Sequence, residues 1–402
     1  VSRLDDLIRE LCPDGVPFEP LASIAEYSRA RVPADEIQAG SFTGVDNLLP
    51  DRGGRILSKY PPKSGNAVAY GEGDVLIGNI RPYLKKIWLA DGPGGASADV
   101  LVVVTKQAAR ESLRPDFLYH VLASDAFFAF NSRHSKGAAM PRGDRKAILE
   151  FKVPIPPVAV QAEIVRVLSL FQSLEAELEA ELEARIHQYA HYRDSLFRAL
   201  SNARAVAFGD VATIARGASP RPIRNYLTES ADGIPWIKIG DVPATGKYVT
   251  ATAERVTING ASKSRRVKSG DFILSNSMSF GRPYIVRIDG CIHDGWLSIS
   301  EFENSFDANY LYHLLRSAPV QGEFRRRAGS GGAVSNLNSA VVRGIALPMP
   351  EMSVQIRIAD TLDKFDALVN DLSVGLPAEL AARRQQYEHY RDRLLTFDEL
   401  PA

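Results

Sequence analysis

The 40 residues Gln161–Leu200 read QAEIVRVLSL FQSLEAELEA ELEARIHQYA HYRDSLFRAL. Apolar side chains fall at Ile164, Leu168, Phe171, Leu174, Leu178, Leu182, Ile186, Tyr189, Tyr192, Leu196 and Leu200, always three or four residues apart. That is one face of an α-helix, and Glu175, Glu177, Glu179, Glu181 and Glu183 charge the face opposite. At roughly 1.5 Å per residue such a helix spans about 60 Å, longer than the interior of a globular domain. The stripe therefore calls for a second helix of similar length.

The chain supplies one. Val160-Gln161 recurs as Val354-Gln355, and His191-Tyr192-Arg193-Asp194 recurs as His389-Tyr390-Arg391-Asp392. Between them lies a second stripe, through Ile358, Leu362, Phe365, Leu368, Val369, Leu372, Leu376, Leu380, Tyr387, Tyr390 and Leu394. The second copy is longer by about one helical turn. Gly375-Leu376-Pro377 is where a break or kink is expected, because Pro377 lacks a backbone donor and restrains the residue before it.

The segments between the helices also repeat. Phe18 with Ile24-Ala25 matches Phe208 with Ile214-Ala215, Gly73-Asp74 matches Gly270-Asp271, and Arg81-Pro82-Tyr83 matches Arg282-Pro283-Tyr284. Phe117-Leu118-Tyr119-His120 matches Tyr310-Leu311-Tyr312-His313, and Pro154-Ile155-Pro156 matches Pro348-Met349-Pro350. Two divergent copies make a tandem duplication, not a solenoid. Within the first copy, Val75–Ile80 and Val100–Val104 read as strands, Asp116–Phe130 as an amphipathic helix, and Phe151–Pro157 as a last strand stopped by prolines. A short amphipathic turn through Leu4, Leu7, Ile8 and Leu11 precedes them, closed by Pro13-Asp14-Gly15.

The expected fold class is therefore α+β: two homologous domains separated by two long antiparallel, coiled-coil-like helices, related by a pseudo-two-fold axis. The domains run over 1–157 and 203–350, and the helices over 158–202 and 351–402 with the C-terminal tail. Chain reach favours the antiparallel arrangement, because the second domain must touch the end of one helix and the start of the other. The same logic puts residues 1–15 beside the segment after Tyr390.

The chain has 402 residues, 45% of them hydrophobic, and a formal net charge of zero. Residues 1–157 carry 20 basic and 19 acidic groups, 158–202 carry 4 and 7, 203–350 carry 18 and 12, and 351–402 carry 6 and 10. Acid collects on the helices and excess base on the second domain, and local field governs binding to a polyanion. Cys12 and Cys291 alone exclude a disulfide framework or a cysteine zinc site. No apolar run approaches membrane-spanning length, and Asp5, Asp6 and Glu10 are wrong for a signal peptide, so a cytoplasmic location is expected.

Enzyme signatures are absent. There is no Gly-x-x-x-x-Gly-Lys-Ser/Thr loop, and Gly329, Gly331 and Gly332 lack a following lysine and read as a surface loop. No Asn/Asp-Pro-Pro-Tyr/Phe run is present to hold a base for methylation. His187 and His191 lack a carboxylate between them, so no metal site is read there. Cationic residues remain: Arg and Lys neutralise phosphates, and Arg and Asn read base edges. The DNA-contact candidates are Arg81, Lys85, Lys86, Lys136, Arg142, Arg145 and Lys146 in the first domain. In the second they are Arg221, Lys238, Lys263, Arg265, Arg266, Arg282, Arg325, Arg326, Arg327, Asn336 and Asn338. Ser335-Asn336-Leu337-Asn338 stands where Pro141-Arg142-Gly143-Asp144 stands in the first copy.

Over essentially its whole length the chain resembles the specificity subunits of Type I restriction–modification systems. The resemblance rests on the order domain, helix, domain, helix. It rests also on Pro-Ile-Pro-Pro with Gln161 and Pro-Met-Pro-Glu with Gln355, on the two Tyr-Arg-Asp ends, on Leu11-Cys12-Pro13-Asp14-Gly15-Val16 and on Ile234-Pro235-Trp236-Ile237. It implies two target-recognition domains, each reading half of a split double-stranded DNA sequence. It also implies a helical spacer bound by two methyltransferase subunits, with a restriction/translocase subunit added for cleavage. It implies no catalytic residue and no cofactor on this chain; S-adenosylmethionine belongs to the partner methyltransferase. Leu178, Leu182, Tyr189, Tyr192, Arg193, Tyr387, Tyr390 and Arg391 are the expected subunit-interface residues. Two rival readings are a methyltransferase or nuclease in its own right, which a methylation assay of the isolated chain separates, and a coiled-coil linker of two protein-binding modules, which would show no salt-dependent binding to duplex DNA.

Overall fold

The computed structural model describes residues 2–60, 64–242, 246–276, 280–328, 337–371 and 374–401. The expected loop glycines Gly329, Gly331 and Gly332, and Asn336, lie outside the described residues. The chain divides into two compact units, residues 1–176 with 382–402, and residues 177–381.

In the first unit a four-stranded antiparallel sheet orders Ala25–Tyr27, Val100–Thr105, Val75–Gly78 and Ile87–Leu89. Its central strands are apolar throughout because both faces are covered. Val75, Ile77, Leu101 and Val103 pack with Phe117, Leu118, Phe127 and Phe128 of the helices. Leu76, Val100 and Val102 face Leu48, Tyr70 and Ala96 on the side of a second sheet. That sheet orders Arg31–Pro33, Asn66–Tyr70, Gly94–Ala96 and Phe42–Thr43. The single helix expected over Asp116–Phe130 is two, Pro115–Leu122 and Asp125–Arg133. The Ser124 hydroxyl accepts the Phe127 N–H at 3.2 Å, so the second helix starts on its own N-cap.

The second unit has the same plan with one more strand on each sheet. Thr213–Arg216, Trp296–Ser300, Phe272–Ser275, Pro283–Val286 and Tyr248–Val249 form the first. Phe272, Leu274, Leu297 and Ile299 face the helices, and Ile273, Tyr284, Val286 and Trp296 face the other side. Leu227–Thr228, Glu254–Val256, Ile234–Ile237, Gly290–Ile292 and Arg265–Val267 form the second sheet.

Strand registers fix the equivalence of the copies. Val75 pairs with Leu89 and Val103, as Phe272 pairs with Ile285 and Ile299. Gly73-Asp74 and Gly270-Asp271 make the same turn, each glycine at positive φ. Each aspartate accepts a backbone N–H three residues earlier, from Gly71 at 2.7 Å and from Lys268 at 2.8 Å. Three sequence matches are corrected. Tyr27 pairs with Val103 as Ile214 pairs with Ile299, so Ile24-Ala25 corresponds to Val211-Ala212 and not to Ile214-Ala215. Arg81-Pro82-Tyr83 forms a turn with Tyr83 exposed, whereas Pro283 and Tyr284 lie in a strand, so the partner of Tyr284 is Trp88. Phe208, fully buried, corresponds to Leu21 and not to half-buried Phe18, because Phe18 and Ala205 occupy the same register against Pro154 and Pro348.

One helix, Val158–Ala199, starts in the first unit and ends in the second. Its counterpart is broken where expected: Met352–Asn370 ends before Gly375, and Leu376–Leu394 begins with Pro377 in its first turn. In the first unit the helices run antiparallel. Phe171 stacks on Tyr390, Gln172 donates to the Tyr387 hydroxyl at 3.2 Å, and Glu175 meets Arg384 at 2.6 Å. In the second unit Tyr189 and Tyr192 lie against Phe365. The stripe is not covered everywhere: Leu174 is 39% and Ile186 42% exposed. Residues near both chain ends meet in the first unit. Leu4 and Leu395 share a core, Val16 N–H donates to Asp398 O at 2.9 Å, and Leu400 N–H donates to Val16 O at 3.0 Å. Ser2–Leu11 is a helix there.

Candidate nucleic-acid interface

Each long helix is fastened to its domain by one glutamine. Buried Gln161 accepts the Arg114 N–H at 2.9 Å and donates to the carbonyls of Ser112 and Pro156, both at 2.7 Å. Gln355 accepts the Asp307 N–H at 3.0 Å and donates to the carbonyls of Ser305 and Pro350 at 3.0 and 2.9 Å. Arg114 and Asp307 each precede a domain helix, so the clamp sets the domain's helices against the start of the long one.

In the first unit two loops come together. Ile80 bridges to Arg142, Arg142 bridges to Lys136, and the Arg81 N–H donates to Pro141 O at 2.7 Å. Arg81, Lys136 and Arg142 are exposed there, beside exposed Tyr83 and Met140. Lys136 reaches Asp144 at 2.5 Å and Arg142 reaches Asp99 at 3.1 Å, each cation itself exposed, where an ion pair holds it only weakly. Arg145 and Lys146 are exposed on the adjoining helix, Arg145 lying over the Tyr27 ring.

Lys85 and Lys86 are not free. Lys85 holds Asp125 at 2.6 Å, and Lys86 donates to Val45 O at 2.8 Å. Asp125 also binds Arg52 and, at 3.3 Å, the fully buried Arg391. Burial alone would raise the Asp125 carboxyl, but hydrogen bonds from Lys85 and Arg52 and the charges of Arg52 and Arg391 hold it well below the usual carboxylate range. Asp51, Arg52, Arg81 and Lys85 all have positive φ, and the Asp51 and Arg52 N–H groups bond to Leu84 O and Lys85 O. Sequence reasoning missed Arg52, although Asp51-Arg52-Gly53-Gly54 carries a turn signal.

In the second unit Arg265 and Arg266 are exposed on an edge strand, which presents them without a neighbour on one side. Lys263 lies over the Tyr226 ring and donates to its hydroxyl at 2.7 Å. Arg282 is half-buried and stacks on Tyr284. Arg325 is exposed, whereas Arg326 and Arg327 share Glu323, at 2.5 and 3.2 Å. Asn338, expected to read a base, instead caps a helix: its Oδ1 accepts the Val341 N–H at 2.9 Å. Asp144 does the same in the first copy, accepting from Lys146 and Ala147. A cleft of about 570 Å³ opens beside Arg221 and Lys238, with Trp236, His293 and Asp294 among its walls. Its histidine and aspartate carried no sequence motif.

The expected subunit-interface residues divide. Tyr189, Arg193 and Arg391 are buried within their own units and are corrected on that ground. Each arginine stacks over the tyrosine four residues earlier, Tyr189 or Tyr387, and binds the following aspartate at 3.0 Å. Tyr192 is 39% exposed, and Leu178, Leu182, Tyr387 and Tyr390 are half-buried.

A family profile described as Type I restriction modification DNA specificity domain matches residues 53–188 and 202–382. A putative type I restriction enzyme specificity subunit of Haemophilus influenzae is 30% identical over 299 residues, 72% of this chain and 74% of that one. The EcoR124I/EcoR124II specificity subunit of Escherichia coli is 30% identical over 263 residues, 61% of this chain, and the match spans only 63% of that subunit's length. Among solved structures, a chain from work on complex assembly and conformational transition of the type I R-M system superposes with a TM-score of 0.63 at 19% identity, covering 95% of this chain and 98% of that one. The Type-I restriction-modification system S subunit from M. genitalium superposes at 0.51 with 14% identity, covering 95% and 96%. No helix among the described residues is long and apolar enough to cross a membrane.

Proposed function

The chain belongs to the family of Type I restriction modification DNA specificity proteins, and from that premise we propose that it reads a split double-stranded DNA target and scaffolds two methyltransferase subunits. Each half of the target falls to one recognition domain, residues 1–157 with their N-terminal segment or residues 203–350. Residues 158–202 and 351–402 are the spacer helices. The chain is the non-catalytic member of a cytoplasmic complex: S-adenosylmethionine is held by the methyltransferase, and a restriction/translocase subunit joins for cleavage.

The observation that carries this reading is a duplicated scaffold with different surfaces. Strand registers, turn and glutamine clamp coincide in the two units, while the exposed cations stand at different places: loops around Arg81 and Arg142 in one, an edge strand at Arg265 and Arg266 in the other. Two readers on one framework suit two unlike half-sites. Exposed apolar side chains along the helices, Leu170 at 54%, Ile186 at 42% and Ile356 at 44%, suit helical partner subunits. Exchanging residues 208–347 for the equivalent part of a relative is expected to change one half of the target, read by mapping methylated sites. A change in both halves would refute independent reading.

A further inference from the structure

The cleft of the second unit is built around one arginine held by one carboxylate. Arg221 is 81% exposed at its side chain, and its Nη2 donates to Asp294 Oδ2 at 3.2 Å. The other Asp294 oxygen accepts the Ser219 hydroxyl at 2.8 Å, and Ser219 Oγ in turn accepts the Asp294 N–H at 3.3 Å. Asn276, nearly buried, donates to Asp294 O at 2.8 Å. Asn276 and Ser219 thus hold the Asp294 main chain, and the Ser219 hydroxyl holds one oxygen of its carboxylate. That carboxylate fixes one edge of a planar guanidinium whose remaining donors stay exposed at the cleft.

His293 lines the same cleft. Its Nδ1 accepts the Gly295 N–H at 2.8 Å, so in the neutral ring the proton is on Nε2. Burial holds this imidazole below the usual histidine range, against the opposing pull of Asp294. The ring rests where any Cβ on residue 295 would stand, 2.3 Å from its Cε1, so only glycine permits this placement. Trp236, 2% exposed, lies 6.3 Å from the ring and backs it. Two donors of fixed identity, a guanidinium fork and an imidazole N–H, therefore share one wall. The base edge that offers two adjacent acceptors and no donor is the major-groove edge of guanine, O6 with N7.

We propose that Arg221, oriented by Asp294 and accompanied by His293, reads a guanine in the half-site of the second recognition domain. This rests on the DNA-reading function proposed above. Asp294 is a positioning residue: its two carboxylate oxygens are taken up by Ser219 and Arg221, and its contribution is the direction it gives Arg221. Lys238, paired with Glu254 at 2.7 Å, also lines the cleft and suits a backbone phosphate.

The test selects bound duplexes from a randomised pool with the full chain and scores preference at each position. Arg221→Lys keeps the charge and loses the fork. Asp294→Asn keeps the shape, loses the ionic hold and makes the cleft more positive. Both variants are expected to lose preference for guanine at the same single position, by roughly five- to a hundredfold, with every other position and the other half-site unchanged. In the wild type, 7-deazaguanine at that position, which removes N7, is expected to weaken binding. Unchanged preference in both variants overturns the proposal. So does a uniform loss across sequences in Arg221→Lys, or uniformly tighter binding by Asp294→Asn with preference intact, since those mark a phosphate contact. A wild-type chain that binds duplex and selects no sequence overturns the DNA-reading function itself, and this proposal with it.

Discussion

Gln161 and Gln355 each satisfy one backbone N–H and two carbonyls that have left water. Truncating either leaves groups unpaired, at about 1–3 kcal/mol for a buried group. Gln161→Ala and Gln355→Ala are therefore each expected to destabilise the chain by about 2–4 kcal/mol, measured by denaturant unfolding, whereas an exposed change such as Glu183→Ala should stay within about 0.5 kcal/mol. Asp125 gives a pH test. Its carboxyl is held low in the folded chain, so the unfolded chain takes up its proton first as pH falls. The stabilisation is present above the ordinary carboxylate range, near pH 4, and is lost progressively below it. Asp125→Asn should lower the melting temperature at pH 7 and lose its effect in strong acid. Its cost should fall short of the roughly 3–5 kcal/mol of a fully buried broken pair, because Asp392 still holds Arg391 at 2.9 Å. A constant difference from pH 7 to pH 3 would show that the ion pairs are not what Asp125 contributes.

The short helices that close each domain begin on Asp144 and Asn338, and this corrects a sequence inference at the scale of an element. Asn338→Ala should cost about 1 kcal/mol as a lost N-cap and leave sequence preference unchanged, where a base-reading asparagine would alter it. The helix Ala318–Ala328 yields a second prediction. Arg325→Ala should reduce the slope of log affinity against log salt by up to about 0.9, and Arg326→Ala, whose side chain is held by Glu323, by less. A slope unchanged from wild type in both variants would assign this helix to solvent or to a protein partner. What the sequence made legible were features written locally. The helical stripe has a fixed period, the break has Gly375 and Pro377, and the duplicated glutamines sit at matching helix starts. What it hid were pairings set by the fold. Lys85 meets an aspartate 40 residues away and Arg391 the same aspartate 266 residues away, and neither separation leaves a pattern. Arg-Pro-Tyr misled for a related reason: hydrogen-bond register aligns strands, and a different turn length moves an identical tripeptide out of register.

At the scale of the whole chain, the passage from one unit to the other near Ala176 lies within an unbroken helix of 42 residues. A flexible linker there would let each recognition domain find its half-site independently, with weak dependence on the bases between them. If the helix is the spacer of the proposed function, its length and its rotation change together, and spacing should follow both. Four residues added within Glu175–Glu183 lengthen it by about 6 Å and turn its far end by about 40°, the excess of four residues over one 3.6-residue turn. The insertion nearly preserves the apolar stripe, and Glu177, Glu179, Glu181 and Glu183 line the surface there, so the fold of each unit should survive it. Such a variant is expected to read the same bases in both halves of the target. It should prefer a spacer changed by one or two base pairs, at roughly 3.4 Å each. Methylation by the assembled complex on targets with spacers of graded length measures this directly. Retained activity with an unchanged spacer preference would mean that something other than the helix Val158–Ala199 sets the distance between half-sites.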